Sequence, residues 1–207
     1  MELNRELEMQ MVSRHTPGVH AKAKQSRVAI AGCGGLGSNI AVMLARTGVG
    51  ELLLVDFDTV EPSNLNRQHY NVTHIGMRKT AALKAQLVQI NPFITVHTLD
   101  ERVTAENAVE IFSGYSIVCE AFDCPISKAN ITNALLSAGG VTLVGASGMA
   151  GHGDANAIKT TEKFANFYLC GDYETGAQPG VVGLMAPRVM VCAAHQATKI
   201  LELIVGG

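Results

Sequence analysis

Tryptophan is absent from this 207-residue chain, and aromatics of all kinds make up only 5% of it. A surface that stacks nucleic-acid bases needs such rings, and a net charge of −2 supplies no electrostatic footprint for nucleic acid or an anionic membrane. No C-x-x-C pair occurs. The cysteines Cys33, Cys119, Cys124, Cys170 and Cys192 are scattered, which argues against structural zinc and against a secreted disulfide framework. Reduced thiols in the cytoplasm are the simplest reading. The N-terminus, MELNRELEMQMVSRH, is too charged for a signal peptide. No apolar run is expected to reach the roughly 18 residues of a membrane helix. With 47% apolar and 16% charged residues, the composition is that of an ordinary globular domain. The chain divides into an N-terminal arm, 1–25, and a single domain, 26–207.

What is present is a dense signal from Val28 to Gln68, VAIAGCGGLGSNIAVMLARTGVGELLLVDFDTVEPSNLNRQ. An apolar run enters a glycine turn containing Gly32, Gly34, Gly35 and Gly37. A helical segment and a second apolar run follow, and the latter ends on Asp56. Glycines let the backbone approach phosphate, and the following helix offers unpaired N–H groups and a positive dipole end. Asp56 stands roughly 20 residues past the turn, where such units place a ribose-binding carboxylate. Asp58 is either a second ligand or a turn former.

In the arm, Leu3, Leu7 and Met11 form one apolar stripe. Strands are expected at 27–31, 51–55, 94–99, 116–122 and 141–146, and helices at 36–47, 76–91, 104–112 and 125–139. Thr104 is expected to cap the third helix. This alternation implies a doubly wound, mostly parallel Rossmann-like α/β sheet, with ligands beyond the C-terminal strand ends. After Ser147 an added strand is expected at 155–161, then a mobile loop over 168–183. A final helix at 185–205 is apolar nearly all round, which suits deep packing or a subunit interface.

At DFDTVEPSNLNRQ, with GCGGLGS before it and Gly76-Met77-Arg78-Lys79 after it, the chain resembles the ThiF/MoeB/HesA family of ubiquitin-activating-enzyme-like adenylyltransferases, most of all the compact "family 2" ThiF proteins. The resemblance implies ATP-dependent adenylation of the C-terminal glycine of a small ubiquitin-like sulfur carrier with a Gly-Gly tail, such as the ThiS-like carrier of thiamine biosynthesis. It implies that Arg67, Lys79, Asp123 and an arm arginine from a second protomer, Arg14 or Arg5, act on the reacting groups. It further implies that Ser63, Asn64, Leu65 and Asn66 join the glycines and Asp56 around the nucleotide, and that Asp123 holds Mg²⁺. A homodimer is the family habit.

Three departures stand out. Cys124 replaces the asparagine that usually follows the magnesium aspartate. Only Cys170 remains of the zinc cysteines of larger members, so no zinc is expected. The position of the family's reactive loop cysteine falls near Gly176. A nicotinamide-dependent oxidoreductase and a non-catalytic nucleotide-binding scaffold are the alternatives on the same fold. From the residues alone, Lys79 reads as an ordinary helix-surface lysine, and His195 as a core or interface histidine. Cys170, in the expected loop, is a candidate reactive thiol. The terminal Gly206-Gly207 reads as a frayed helix cap.

Overall fold

The computed structural model describes residues 2–206, with side chains from residue 5 onward. Gly207 lies outside the described residues, as does the Leu3 side chain of the arm stripe. In chain order the elements are α1 (Glu2–Met11), α2 (Val19–Gln25), β1 (Arg27–Ala31), α3 (Gly35–Thr47), β2 (Glu51–Val55), α4 (Lys79–Ile90), β3 (Thr95–Leu99), α5 (Ala108–Ile111), β4 (Ile117–Glu120), α6 (Pro125–Ala138), β5 (Thr142–Ala146), β6 (Lys159–Phe164), β7 (Phe167–Gly171) and α7 (Ala186–Gly206).

The strands form one sheet in the order β3-β2-β1-β4-β5-β7-β6. Every pairing is parallel except β6 with β7. β1 is central, with Ala29 aligned between Leu53 and Val118. Its residues Val28 to Ala31 are all buried, as they must be in a strand covered by helices on both faces. Val28 and Ile30 pack with Ile40, Leu44, Leu83 and Ile200 of α3, α4 and α7. Ala29 and Ala31 face Phe112, Ile131 and Leu135 on the α5–α6 side.

Four expectations about α5 and the strands are corrected. α5 is a single turn, and Thr104 does not cap it with its side chain; instead Asn107 Oδ1 accepts the Thr104 N–H at 2.7 Å, tying the preceding residues into a turn. β4 stops at Glu120, because the Phe122 N–H turns back to Glu120 Oε1 at 2.7 Å. The added strand is β6, displaced toward the C-terminus because Asp154 caps a 3₁₀ turn over Ala155–Ala157. Phe167–Gly171 is strand β7, not loop, since Leu169 and Cys170 insert beside Gly145 and Ala146 of β5.

α7 is amphipathic rather than apolar all round: Val189, Cys192, Ala193, Gln196 and Ile200 are buried on one face, and Met190 and Glu202 are exposed. By length and composition it could cross a membrane, with mean hydropathy 1.3 over 18 residues, so the expectation that no run qualifies is corrected. Its Val, Ile and Leu content outweighs Arg188, Gln196 and Lys199 in that average. The helix nonetheless lies along α3 and β4–β7 as a core element. The arm folds as a hairpin, with Glu8 of α1 2.5 Å from Lys24 of α2. Leu7, Met9 and Met11 remain exposed.

Candidate functional site

A cavity of about 610 Å³ opens at the C-terminal ends of β1, β2, β4 and β5. A larger one, about 740 Å³, lies at the opposite end, beside Arg27, Tyr115 and Gly140. The smaller cavity is the functional candidate, because the glycine turn, Asp56, Arg67 and Lys79 all line it and the α3 N-terminus opens onto it.

The glycine turn is built by close approach. Gly32 has φ +99°, and its N–H donates to Val55 O at 2.8 Å. A Cβ on Gly37 would stand 1.8 Å from Gly32 O, so only glycine lets α3 pack on the turn. Gly37 therefore touches protein rather than the cavity, which Gly32, Gly34 and Gly35 line. Asp56, 8% exposed, fixes the turn from β2. Its Oδ2 accepts the Cys33 N–H at 2.6 Å and its Oδ1 accepts the Asp58 N–H at 2.8 Å. Each carboxylate oxygen keeps a lone pair for a hydroxyl.

Lys79 is no surface lysine. It is the first residue of α4 and 6% exposed, with Nζ 2.8 Å from Asp58 Oδ2. Asp58 thus serves as the partner that makes a buried ammonium tolerable. The Tyr70 hydroxyl donates to Cys33 O at 2.9 Å and reaches Lys79 O at 3.3 Å, joining the turn to α4. Burial pushes that phenol far above its ordinary range.

Arg67 donates from Nη1 to Asn66 Oδ1 at 2.7 Å and Ser63 O at 3.3 Å, with no carboxylate in ion-pair range among the described residues. Its cationic charge remains available. Ser63, Asn64, Leu65 and Asn66 do not line the cavity. Asn64 Oδ1 accepts the Glu61 N–H at 3.0 Å, closing a 3₁₀ turn. The Ser63 hydroxyl faces Glu61, Leu65 packs on the core, and Asn66 Nδ2 donates to Leu184 O at 3.1 Å. These four residues build the turn that presents Arg67. Arg14 lies exposed between α1 and α2, outside its own chain's cavity.

Asp123 is exposed at the cavity wall, just before α6. Among the described residues no three His, Cys, Asp or Glu side chains converge as metal ligands. One exposed carboxylate at the wall of a cavity that also holds Arg67 and Lys79 is a donor set that suits Mg²⁺, which takes one or two protein carboxylates and completes its shell with ligand oxygens and water.

Sequence reasoning missed three features. Asn39 Nδ2 donates to Gly35 O at 2.6 Å and Arg67 O at 3.0 Å, clamping α3 to the arginine. Gln68, 8% exposed, lines the cavity with Oε1 unpartnered; its place next to Arg67 was the available signal. Lys128 Nζ sits 3.0 Å from both oxygens of buried Glu120. Burial raises the Glu120 carboxyl above its usual range even though Lys128 opposes the shift. Among the thiols, Cys170 is fully buried in β7, and burial raises its pKa, so it is not a reactive loop cysteine. Cys124 is the exposed thiol, lowered by hydrogen bonds from the Ser127 N–H and hydroxyl. His195 Nδ1 lies 3.0 Å from Thr160 Oγ1 on the β6 side of α7, a structural position.

Comparison with known proteins agrees with this geometry. The ThiF family profile matches residues 4–207. The adenylyltransferase and sulfurtransferase UBA4 of Saccharomyces cerevisiae is 32% identical over 206 residues, covering 95% of this chain and 46% of that protein. The chain thus spans about half the length of the curated relatives it matches. Escherichia coli tRNA N6-threonylcarbamoyladenosine dehydratase, TcdA, solved with ATP, superposes with TM-score 0.86 at 23% identity over 98% of this chain and 95% of its own. E. coli MccB, solved with ATP, superposes with TM-score 0.70 at 25% identity over 90% of this chain and 57% of its own. From its glycine turn to its final helix, the chain belongs to the ThiF family.

Proposed function

We propose that this chain adenylates the terminal carboxylate of a small ubiquitin-like carrier: carrier–COO⁻ + ATP → carrier–CO–AMP + PPi. The observation that carries this reading is a pair of cations, Arg67 and the buried Lys79, converging on a cavity walled by a glycine turn whose backbone is fixed by Asp56. Two relatives solved with ATP support the choice of nucleotide.

A terminal carboxylate, with pKa about 3.5, is ionised at neutral pH, so the nucleophile needs no general base. The barrier lies in bringing one anion to another and in neutralising the departing pyrophosphate, which is work for position and fixed charge. Asp56 has lone pairs for the ribose hydroxyls. Gly34 and Gly35 let backbone meet phosphate. Arg67 and Lys79 lie along the polyphosphate. Asp123 would hold Mg²⁺, which when bound supplies further positive charge on the phosphate oxygens. The reading includes a homodimer in the cytoplasm, with the partner's arm reaching the site.

The carrier itself is to be found by experiment. UBA4 is named as an adenylyltransferase and sulfurtransferase and TcdA as a tRNA-modifying dehydratase, so the ThiS-like carrier of thiamine synthesis is one member of a panel. Pyrophosphate exchange is measured with Mg-ATP and purified carriers ending in Gly-Gly, with tRNA as a further arm. Exchange dependent on one carrier is expected. None with any carrier sinks the proposal, and calorimetric binding of NADH in place of ATP would favour the oxidoreductase alternative.

A further inference from the structure

The loop from Asp172 to Met185 hangs beside the cavity, and its first residues, Tyr173 to Ala177, form part of the cavity wall. Its foot is held far more tightly than its tip. Asp172 Oδ1 accepts the N–H groups of Glu174 and Thr175, both at 2.9 Å. Asp172 Oδ2 accepts the Thr175 hydroxyl at 2.6 Å and Arg188 Nη2 at 2.5 Å. Both ion-pair side chains are buried, 6% exposed for Arg188 and 7% for Asp172. Arg188 also donates from Nη1 to Asp154 O at 2.5 Å, so one α7 side chain ties the segment after β5 to the loop foot. The neighbouring backbone is shaped around this pair. A Cβ on Gly148 would stand 2.0 Å from Asp172 Oδ1. Tyr173 takes φ +66°, a costly value for a non-glycine residue, and its hydroxyl donates to Thr161 Oγ1 at 2.7 Å and Leu169 O at 2.9 Å. Beyond Ala177 the loop makes a small turn, with Gln178 N and Val182 O 2.9 Å apart, and is tied down again only at Gly183 and Leu184, whose carbonyls accept the Gly151 N–H at 2.8 Å and Asn66 Nδ2 at 3.1 Å.

We propose that Asp172 and Arg188 are positioning residues for the activation reaction, a buried latch that holds Tyr173–Ala177 as the wall against which the carrier's extended C-terminal tail lies. This rests on the proposed carrier activation. Asp172 and Arg188 do not themselves line the cavity, and the segment they hold shares it with Gly34, Asp56 and Lys79; the proposal assigns that segment to the carboxylate substrate, and the separate KM values for carrier and ATP test the assignment. A buried pair whose carboxylate and both terminal guanidinium nitrogens are hydrogen-bonded, with only Arg188 Nε unpartnered, is expensive to break and favours a single geometry, as a binding wall requires.

The test uses the full chain with D172N and the milder T175V, which removes one hydroxyl from the same carboxylate. In carrier-dependent pyrophosphate exchange, the expected result is a rise in the carrier KM of about tenfold for D172N and about threefold for T175V, with the ATP KM moved less than twofold. By hydrogen exchange, the amides of Glu174 and Thr175 are expected to lose protection in D172A, which removes the Oδ1 acceptor that an asparagine would keep, while β1 and β4 keep theirs. A carrier KM unchanged in both variants, or carrier and ATP constants rising together, overturns the positioning role. Unchanged protection at Glu174 and Thr175 overturns the latch itself, whatever the activity. Wild-type protein that gives no exchange with any carrier instead overturns the activation reading, and with it the tail as the occupant of this wall. If D172N does not fold, T175V decides the matter on the same two readouts.

Discussion

Lys79 and Arg67 are the two residues on which the proposed chemistry turns, and their surroundings separate rate from stability. Lys79 is buried, but its partner Asp58 keeps a side chain 48% exposed. Lys79→Met therefore strands a half-solvated carboxylate, not a buried one, and should cost no more than about 1 kcal/mol of stability. The same change removes a fixed cation from the phosphate path, where one preorganised group is worth about 10²–10³ in rate. Pyrophosphate exchange should fall by that factor while the urea midpoint barely moves; equal and large losses in both would make Lys79 structural. Arg67→Ala should behave in the same way, since its contacts are local hydrogen bonds. Asp172 shows the opposite balance. Burial pushes its carboxyl up, but hydrogen bonds from Thr175, Glu174 and Arg188 outweigh this and hold it far below the usual carboxylate range. An unfolded aspartate titrates near 3.9. The stabilisation is thus complete above about pH 4 and is lost as the pH falls below that toward the depressed folded value. The stability difference between wild type and D172N should be constant from about pH 5 to pH 7 and shrink below about pH 4, as read by urea denaturation across that range.

At the scale of elements, one fully buried polar side chain ties α7 to the middle of the sheet, while His195 meets Thr160 at the β6 edge. Gln196 is fully buried, and its Nε2 donates to Glu120 O at 3.0 Å and Val144 O at 3.1 Å, at the C-terminal ends of β4 and β5. Gln196→Ala removes both bonds and leaves a cavity, at a cost of about 1–3 kcal/mol for the polar part alone. A lower urea midpoint with unchanged slope is expected, and a variant as stable as wild type would show that apolar packing alone seats the helix. This bond also marks where sequence reading stops. α3, α4, α6 and α7 were legible to within a few residues because their signals are local: a glycine turn before α3, Pro92 after α4, Pro125 opening α6, a long apolar run for α7. β7 was illegible because FYLCG is short and runs straight into a glycine-rich stretch, and it becomes a strand by adding to β5. The candidate site divides in the same way. The glycine turn and Asp56 were expected at the site from spacing, and Arg67 from the resemblance of its SNLNRQ setting. The burial of Lys79 and the Asp172–Arg188 pair depend on chain segments apart in sequence, whereas Asn64 closes a local turn with Glu61.

The whole molecule leaves one part of the proposed site unaccounted for within a single chain. The arm is fixed to its own domain at the N-terminal edge of the sheet, where Gly50 N–H donates to Ala23 O at 2.9 Å, whereas the cavity opens at the C-terminal edge. Arg14 is exposed and outside that cavity, and Leu7 and Met11, on one face of α1, are exposed, as is Met9. An arm that completes the site must therefore complete a second copy's site, and a two-fold pair would place each arm on the other protomer. Light scattering at micromolar concentration should give a dimer. The sharper test is complementation. Arg14→Ala and Arg67→Ala should each be nearly inactive alone. If Arg14 acts in trans, a mixed dimer holds one doubly damaged site and one intact site. After equal mixing and exchange, half the dimers are mixed and half of their sites are intact, so about a quarter of wild-type exchange should return. If Arg14 acts in its own chain, or in none, mixing restores nothing, because every site then carries a damaged residue or the arm has no part in the chemistry. An Arg14→Ala chain with full activity would remove the arm from the mechanism and leave Arg67, Lys79 and Asp123 as the whole charged site.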